Sequence, residues 1–342
     1  MVLAAVYSRQ GDPVDEVRLV EIDESTEPAP GKVVIRVTLF PVHWADLQPI
    51  RYDRAPGSDA RVGWEATGVI EAVGADVAGL IEGMRVSVFP APGAWAERIT
   101  ADARFVVPVP DTVSDEVAAQ MLVNPLTMLM LRREADKHFA TAYDGIVVNN
   151  AAGGAVGRLL TAGLSHHRIP TISLVRRAET AQRLRERFPE VPVVATEENG
   201  WVDAVAALTD GRTLGVAFDP IGGTLTADLV KLLSPGGTVV LYGRMAEEPI
   251  TIAASSLLSS AITLRGVTLG RWVEAAAPER RASDVATAGV VAWALAEQFD
   301  VAAIYPIEEI SDAIRHAMKP GKLGTVLVRP EPVPVEKPGR TD

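Results

Sequence analysis

Asn149-Asn150-Ala151-Ala152-Gly153-Gly154-Ala155-Val156-Gly157 sets Ala151, Gly154 and Gly157 at spacings of three, just after the apolar run GIVV and at the start of AVGRLLTAGL. Small residues at that spacing let backbone come close to an anion that a Cβ would hold away. The free N–H groups and positive end of a following helix then favour the negative charge. The pattern is an A-x-x-G-x-x-G variant of the dinucleotide fingerprint, and its natural ligand is a pyrophosphate. A plain glycine-rich turn would carry the same letters; the strand before it and the helix after it are the context that argues for the nucleotide.

About 20 residues beyond the glycines, where a carboxylate would read the ribose 2′-hydroxyl of NAD, the run PTISLV ends in Arg176 and Arg177. Two guanidiniums suit a 2′-phosphate instead, through forked charge-assisted hydrogen bonds, and so NADPH is the expected cofactor. The alternative is a solvated helix start, in a run that also holds Arg183, Arg185 and Arg187. Cations at a helix N-terminus are locally unfavourable, which speaks against it. The chain has no cysteine, so neither a disulfide nor a thiolate zinc site can form, and no metal site is expected.

The elements that must hold these residues fall into two textures. KVVIRVTL, EATGVIEAVG, MRVSVFP, AWAERI and RFVVPVP are β-branched runs punctuated by Gly and Pro, the pattern of a compact, mostly β domain. MLVNPLTMLMLRREADK is too continuously apolar for a surface helix and predicts a buried one. GIVVNN, IPTISLV, VPVVA, LGVAFD and GGTVVLYG then alternate with helical stretches, which predicts a parallel sheet with right-handed crossovers. Helices near Ala282 to Phe299 and Ser311 to Met318 and a strand GTVLV close the chain.

The expected fold is therefore α/β, a Rossmann-type doubly wound parallel sheet inserted in a split, mostly β catalytic domain. The sheet takes residues 119–264 and the split domain 1–118 with 265–330; the proline-rich end 331–342 reads as a flexible tail. A chain of 342 residues exceeds what one core usually organises, and a cleft between two domains is where small molecules tend to bind. A net charge of −11 disfavours nucleic acid and anionic membranes as partners. Without a signal peptide pattern or a long apolar stretch, the expected location is cytoplasmic.

With these pieces in place the sequence resembles the medium-chain dehydrogenase/reductase superfamily, and within it the zinc-free 2-enoyl thioester reductases. PVHWADLQPIRY is similar to the segment entering the active site, GWEATGVIEAVG to the Gly-x-Glu turn, VNPLTMLML to the Asn-Pro-x-Thr helix start, and VNNAAGGAVG to the phosphate loop. ISLVR, FDPIGG, GGTVVLYGRMAEEPI and ITLRGVTLGRW follow in the family's order. The resemblance implies a GroES-like first domain and NADPH-dependent reduction of an α,β-unsaturated carbonyl, foremost a trans-2-enoyl thioester of coenzyme A or an acyl carrier protein. A quinone or enone reductase and a non-catalytic NADPH-binding protein are the alternatives.

Carried over by position, Asn124 and Thr127 would face the nicotinamide, and Gly153, Gly154, Ala155 and Val156 the pyrophosphate. Arg176 and Arg177 would take the 2′-phosphate. Tyr242, Gly243, Arg244 and Met245, Val267, Thr268, Leu269 and Gly270, and Lys322 would line the cofactor channel. Tyr52 falls near the family's catalytic Tyr, in a shorter loop. His43 and Trp44 replace the usual Asn and Pro. An enolate needs a donor to its oxygen and then a proton at the α-carbon, for which Tyr52 and then His43 are the candidates. A packed loop tyrosine and a backbone-bonded histidine are the other readings. Trp272 is a candidate cap of the substrate channel, with core burial as its alternative. Glu65 reads as structural, paired with an Arg. Arg280 with Arg281, or Arg132 with Arg133 and Lys137, could receive the carrier's phosphates. A homodimer joined near Ala261 to Val267 is expected, because the sheet edge there needs cover.

Overall fold

The computed structural model describes residues 1–139 and 145–330, in two compact units. One comprises Met1–Leu122 and the chain from Phe299 onward; the other is Val123–Gln298. The tail expectation for 331–342 lies outside the described residues.

The first unit is built on Lys32–Pro41, whose β-branched run is buried along most of its length because it pairs antiparallel with Ala66–Val73, Arg98–Asp102 and Thr325–Arg329. Val301–Pro306 joins the far side in parallel with Thr325–Arg329, the two linked through the helix Ile310–Met318. A second, three-stranded sheet orders Arg18–Ile22, Val2–Tyr7 and Ala60–Arg61. Trp95 is fully buried, stacks on Phe40 with ring centroids 5.5 Å apart, and donates its Nε1–H to the Pro41 carbonyl. Gly63 is confined to glycine by this packing: its φ is +92°, and a Cβ would sit 2.2 Å from the Trp95 ring. That turn delivers Glu65 into the interior.

The second unit carries six parallel strands in the spatial order Val193–Ala195, Thr171–Val175, Gly145–Asn149, Thr213–Asp219, Thr238–Leu241, Thr263–Gly266. In chain order this is 3-2-1-4-5-6, the doubly wound arrangement, with its switch point between Gly145–Asn149 and Thr213–Asp219. The inner strands are buried on both faces, as the unbroken apolar runs anticipate. The expected long helix is Val123–Phe139, with Val123, Leu126, Met128 and Leu131 buried.

One boundary moves. Residues after 264 were expected to rejoin the first domain, but Leu269–Ala275 and Pro278–Ala294 belong to the second unit, which runs to Gln298. The physical reason is Asp284, which is 3% exposed and accepts two hydrogen bonds from Arg133 of the long helix and one from Trp272 Nε1. An amphipathic helix shows that it has a buried face, not what it is buried against.

Candidate functional site

The helix Ala155–His166 begins at the carboxyl end of Gly145–Asn149 with Gly154 as its N-cap, and no side chain caps it. Three first-turn N–H groups, of Ala155, Val156 and Gly157, have no intrahelical acceptor at any helix start. A Ser or Asp cap would occupy the space in front of them; glycine leaves it to an anion. The loop is held by close contacts. A Cβ on Gly157 would lie 2.5 Å from the Ala151 carbonyl oxygen and 2.6 Å from Ala152 Cα, both backbone atoms that cannot yield. Ala151 itself has a φ of +54°, and Gly154 N–H donates to its carbonyl.

The loop's first residue is anchored from the neighbouring strand. Asp219, fully buried at the end of Thr213–Asp219, accepts from Asn150 Nδ2, from the Ile221 and Gly222 N–H groups and from Thr226 Oγ1. Asn150 Oδ1 in turn accepts from Ala151 N–H. Asp219 stands in FDPIGG, but nothing in that string says its carboxylate reaches across the switch point.

Arg176 and Arg177 are exposed at the end of Thr171–Val175, and no ion pair engages either guanidinium among the described residues. Tyr242 to Met245 follow Thr238–Leu241 at the same sheet edge, with Tyr242 N–H on the Asp219 carbonyl and Met245 N–H on that of Ile221. Val267 donates to Leu241, and Thr268 caps the helix Leu269–Ala275 through Oγ1. Asn124 is buried near the start of the long helix, and its Nδ2 has no hydrogen-bond partner among the described residues. Thr127 Oγ1 donates to the Val123 carbonyl. These residues fit a dinucleotide: an open helix N-terminus under a close-packed loop, guanidiniums at the second strand's end, and a buried amide donor left without an acceptor among the described residues.

Trp272 is a core residue, 9% exposed with its N–H on Asp284. The cations expected to meet a carrier's phosphates are engaged within the unit. Arg133 and Arg280 pair with Asp284, whose carboxyl burial would raise but these donors hold below its usual range. Arg281 donates to the Val273 carbonyl, Arg132 pairs with Asp136, and Lys137 with Glu134.

In the first unit, His43 precedes the helix Trp44–Tyr52 as its N-cap, and its N–H donates to Asp46 Oδ2 at 3.2 Å. Its Nε2 lies 2.6 Å from Glu65 Oε2, while Glu65 Oε1 accepts the Leu122 N–H at 2.6 Å. Glu65 therefore pairs with His43. Burial works to lower the pKa of the imidazole, and the Lys322 charge adds to that, but the hydrogen bond and charge of Glu65 with the charge of Asp46 outweigh both and raise it. Burial also pushes the Asp46 carboxyl up to about 6, partly opposed by His43. Lys322 Nζ donates to the Gly324 carbonyl.

Tyr52 closes the same helix with its hydroxyl buried and Arg51 over its ring. Nine residues at about 1.5 Å each put its Cα about 13 Å along the axis from that of His43. The two candidates are at opposite ends of one helix and do not share one position.

Residues 29–111 match the family described as alcohol dehydrogenase GroES-like domain, and residues 155–287 the one described as zinc-binding dehydrogenase. The chain belongs to the medium-chain dehydrogenase/reductase superfamily. It is an oxidoreductase. No group of three or more His, Asp or Glu among the described residues could hold a metal ion, and the chain has no cysteine to supply one. A mitochondrial enoyl-[acyl-carrier-protein] reductase of Mus musculus is 29% identical over 284 residues, spanning 81% of this chain and 75% of the relative. Among solved structures, a Bacillus thuringiensis protein assigned as an NADPH:quinone reductase has a TM-score of 0.84 at 25% identity, covering 96% of this chain and 98% of that one. A mycobacterial protein complexed with NADPH has a TM-score of 0.80 at 26% identity, covering 96% of this chain and all of that one.

Proposed function

We propose that this oxidoreductase uses NADPH to reduce the carbon–carbon double bond of an α,β-unsaturated carbonyl compound, foremost a 2-enoyl thioester. The observation that carries the cofactor half is the exposed Arg176–Arg177 pair at the end of the second strand, beside a loop with an open helix N-terminus. The likeness to enoyl-[acyl-carrier-protein] reductases supports the substrate half. When bound, NADPH supplies the hydride.

The chain's own residues bind, orient and move protons. The first-turn N–H groups of Ala155, Val156 and Gly157 hold the pyrophosphate, and Arg176 and Arg177 fork onto the 2′-phosphate. Asn124 Nδ2 is the buried donor available to a carboxamide. Glu65 engages His43 at Nε2 and orients the imidazole, the side chain we assign to pass a proton to the substrate. Tyr52 is the alternative donor.

The likeness to a protein assigned as an NADPH:quinone reductase favours a second reading with the same cofactor and no thioester. Steady-state rates with crotonyl thioesters, alkenals and quinones separate the two. Thioester reduction with a markedly higher kcat/KM than any quinone is expected; turnover of quinones alone would install the second reading. We also propose a homodimer joined along Thr263–Gly266. This strand ends the sheet with all four residues exposed, and exposed Leu257, Leu258 and Leu264 lie on it or just before it.

A further inference from the structure

The phosphate loop rests on a guanidinium that the fingerprint does not include. Arg158, on the first turn of Ala155–His166, is 4% exposed, a degree of burial that arginine reaches only when its donors are engaged. Its Nη1 donates to the Gly153 carbonyl at 2.7 Å, while Nε and Nη2 both donate to the Gln298 carbonyl at 3.2 and 3.1 Å. One end of the fork therefore grips the loop. The other is fixed to backbone at the last residue of the unit, which makes the side chain a strut and not a mobile cation.

The Gly153–Gly154 peptide has no Cβ on either side to resist rotation, and besides Arg158 its hold among the described residues is the single backbone bond from Gly154 N–H to the Ala151 carbonyl. Turned over, it would aim a carbonyl oxygen at the phosphates that the neighbouring N–H groups attract. The start of the loop is already secured by Asp219 through Asn150. We propose that Arg158 is a positioning residue for the pyrophosphate, holding the Gly153 carbonyl inward so that the loop meets the anion with donors only. The inference rests on the NADPH reading above.

Arg158→Met tests it by titration with NADPH, NADH and adenosine 2′-monophosphate, the last carrying the 2′-phosphate without the pyrophosphate. Affinity for both dinucleotides is expected to fall by the same factor, about tenfold, with the monophosphate bound as by wild type. Arg176→Ala should give the converse, weakening NADPH and the monophosphate but not NADH. Dinucleotide affinities within about twofold of wild type, or an equal loss for the monophosphate, would overturn the role. If Arg158→Met does not fold, Arg158→Lys carries the test, since one ammonium cannot reach both carbonyls. A dinucleotide-selective loss of about threefold supports the strut, and wild-type affinity overturns it. Wild-type protein that binds no NADPH would overturn the functional reading and this inference with it, whereas binding that Arg158 variants leave intact overturns the inference alone.

Discussion

At the residue scale two side-chain pairs are proposed to carry the chemistry, and each makes a separable claim. Arg176 and Arg177 stand exposed where the second strand ends, so their replacement by Ala should cost little stability. The double variant should raise the KM for NADPH by about tenfold or more, the scale of losing charge-assisted bonds to a phosphate, and leave that for NADH nearly unchanged. Equal losses for both cofactors would remove the 2′-phosphate assignment. The second pair is His43 with Glu65. If His43 delivers the proton, His43→Ala should lower kcat by about 100-fold, while Tyr52→Phe stays near wild type. Activity should then require the imidazolium and decline as pH rises through a value above 6.5, because Glu65 and Asp46 raise the pKa. Glu65→Gln should move that ionisation down. A large defect in Tyr52→Phe with His43→Ala nearly normal would reverse the roles.

The helices matter here for their starts. At the start of Ala155–His166 the space for a Cβ on Gly157 is filled by the Ala151 carbonyl, so Gly157→Ala must push the loop away from the helix. A loss of about 1–3 kcal/mol in urea unfolding is expected, together with loss of NADPH binding in the protein that remains folded. Normal affinity in this variant would mean that the loop is not the cofactor's seat. At the start of Trp44–Tyr52, Asp46 accepts a helix-end N–H but is buried with a pKa of about 6. A carboxyl whose pKa is higher folded than unfolded stabilises the fold below about 4 and loses that contribution as pH rises through about 6. Asp46→Asn keeps an oxygen for the His43 N–H and removes the charge. It should match wild type near pH 4 and exceed it at pH 8 by on the order of 2 kcal/mol, read from urea midpoints. A variant less stable at both pH values would show that the carboxylate is a net asset.

At the scale of the whole molecule, the six-stranded sheet ends in Thr263–Gly266, a strand with one side unpaired among the described residues and a half-exposed Leu264. Pairing with the same strand of a second copy would satisfy both edges by a two-fold contact. Light scattering should give about twice the chain mass of 36.4 kDa, and Leu264→Lys should shift the population toward monomer by placing a charge on the edge. A mass near 36.4 kDa for the wild type at working concentration would refute the dimer.

Sequence alone determined the class of fold, the order of its elements and the position of the glycine-rich loop between strand and helix. Those depend on local rules: β-branched runs pair in sheets, helical stretches between them impose crossovers, and small residues at a strand–helix turn leave room for an anion. It also excluded thiolate zinc chemistry through the lack of cysteine. Only the tertiary structure decided which charges meet. Glu65 is 22 residues from His43, Asp219 is 69 from Asn150, and Asp284 is 151 from Arg133, separations over which spacing carries no information about contact. The same limit explains the helices Leu269–Ala275 and Pro278–Ala294, whose patterns show a buried face while Asp284 decides what that face is buried against. Charged and polar partners are chosen by the packed fold because a buried donor or acceptor must be matched wherever the chain brings one, near or far along the sequence.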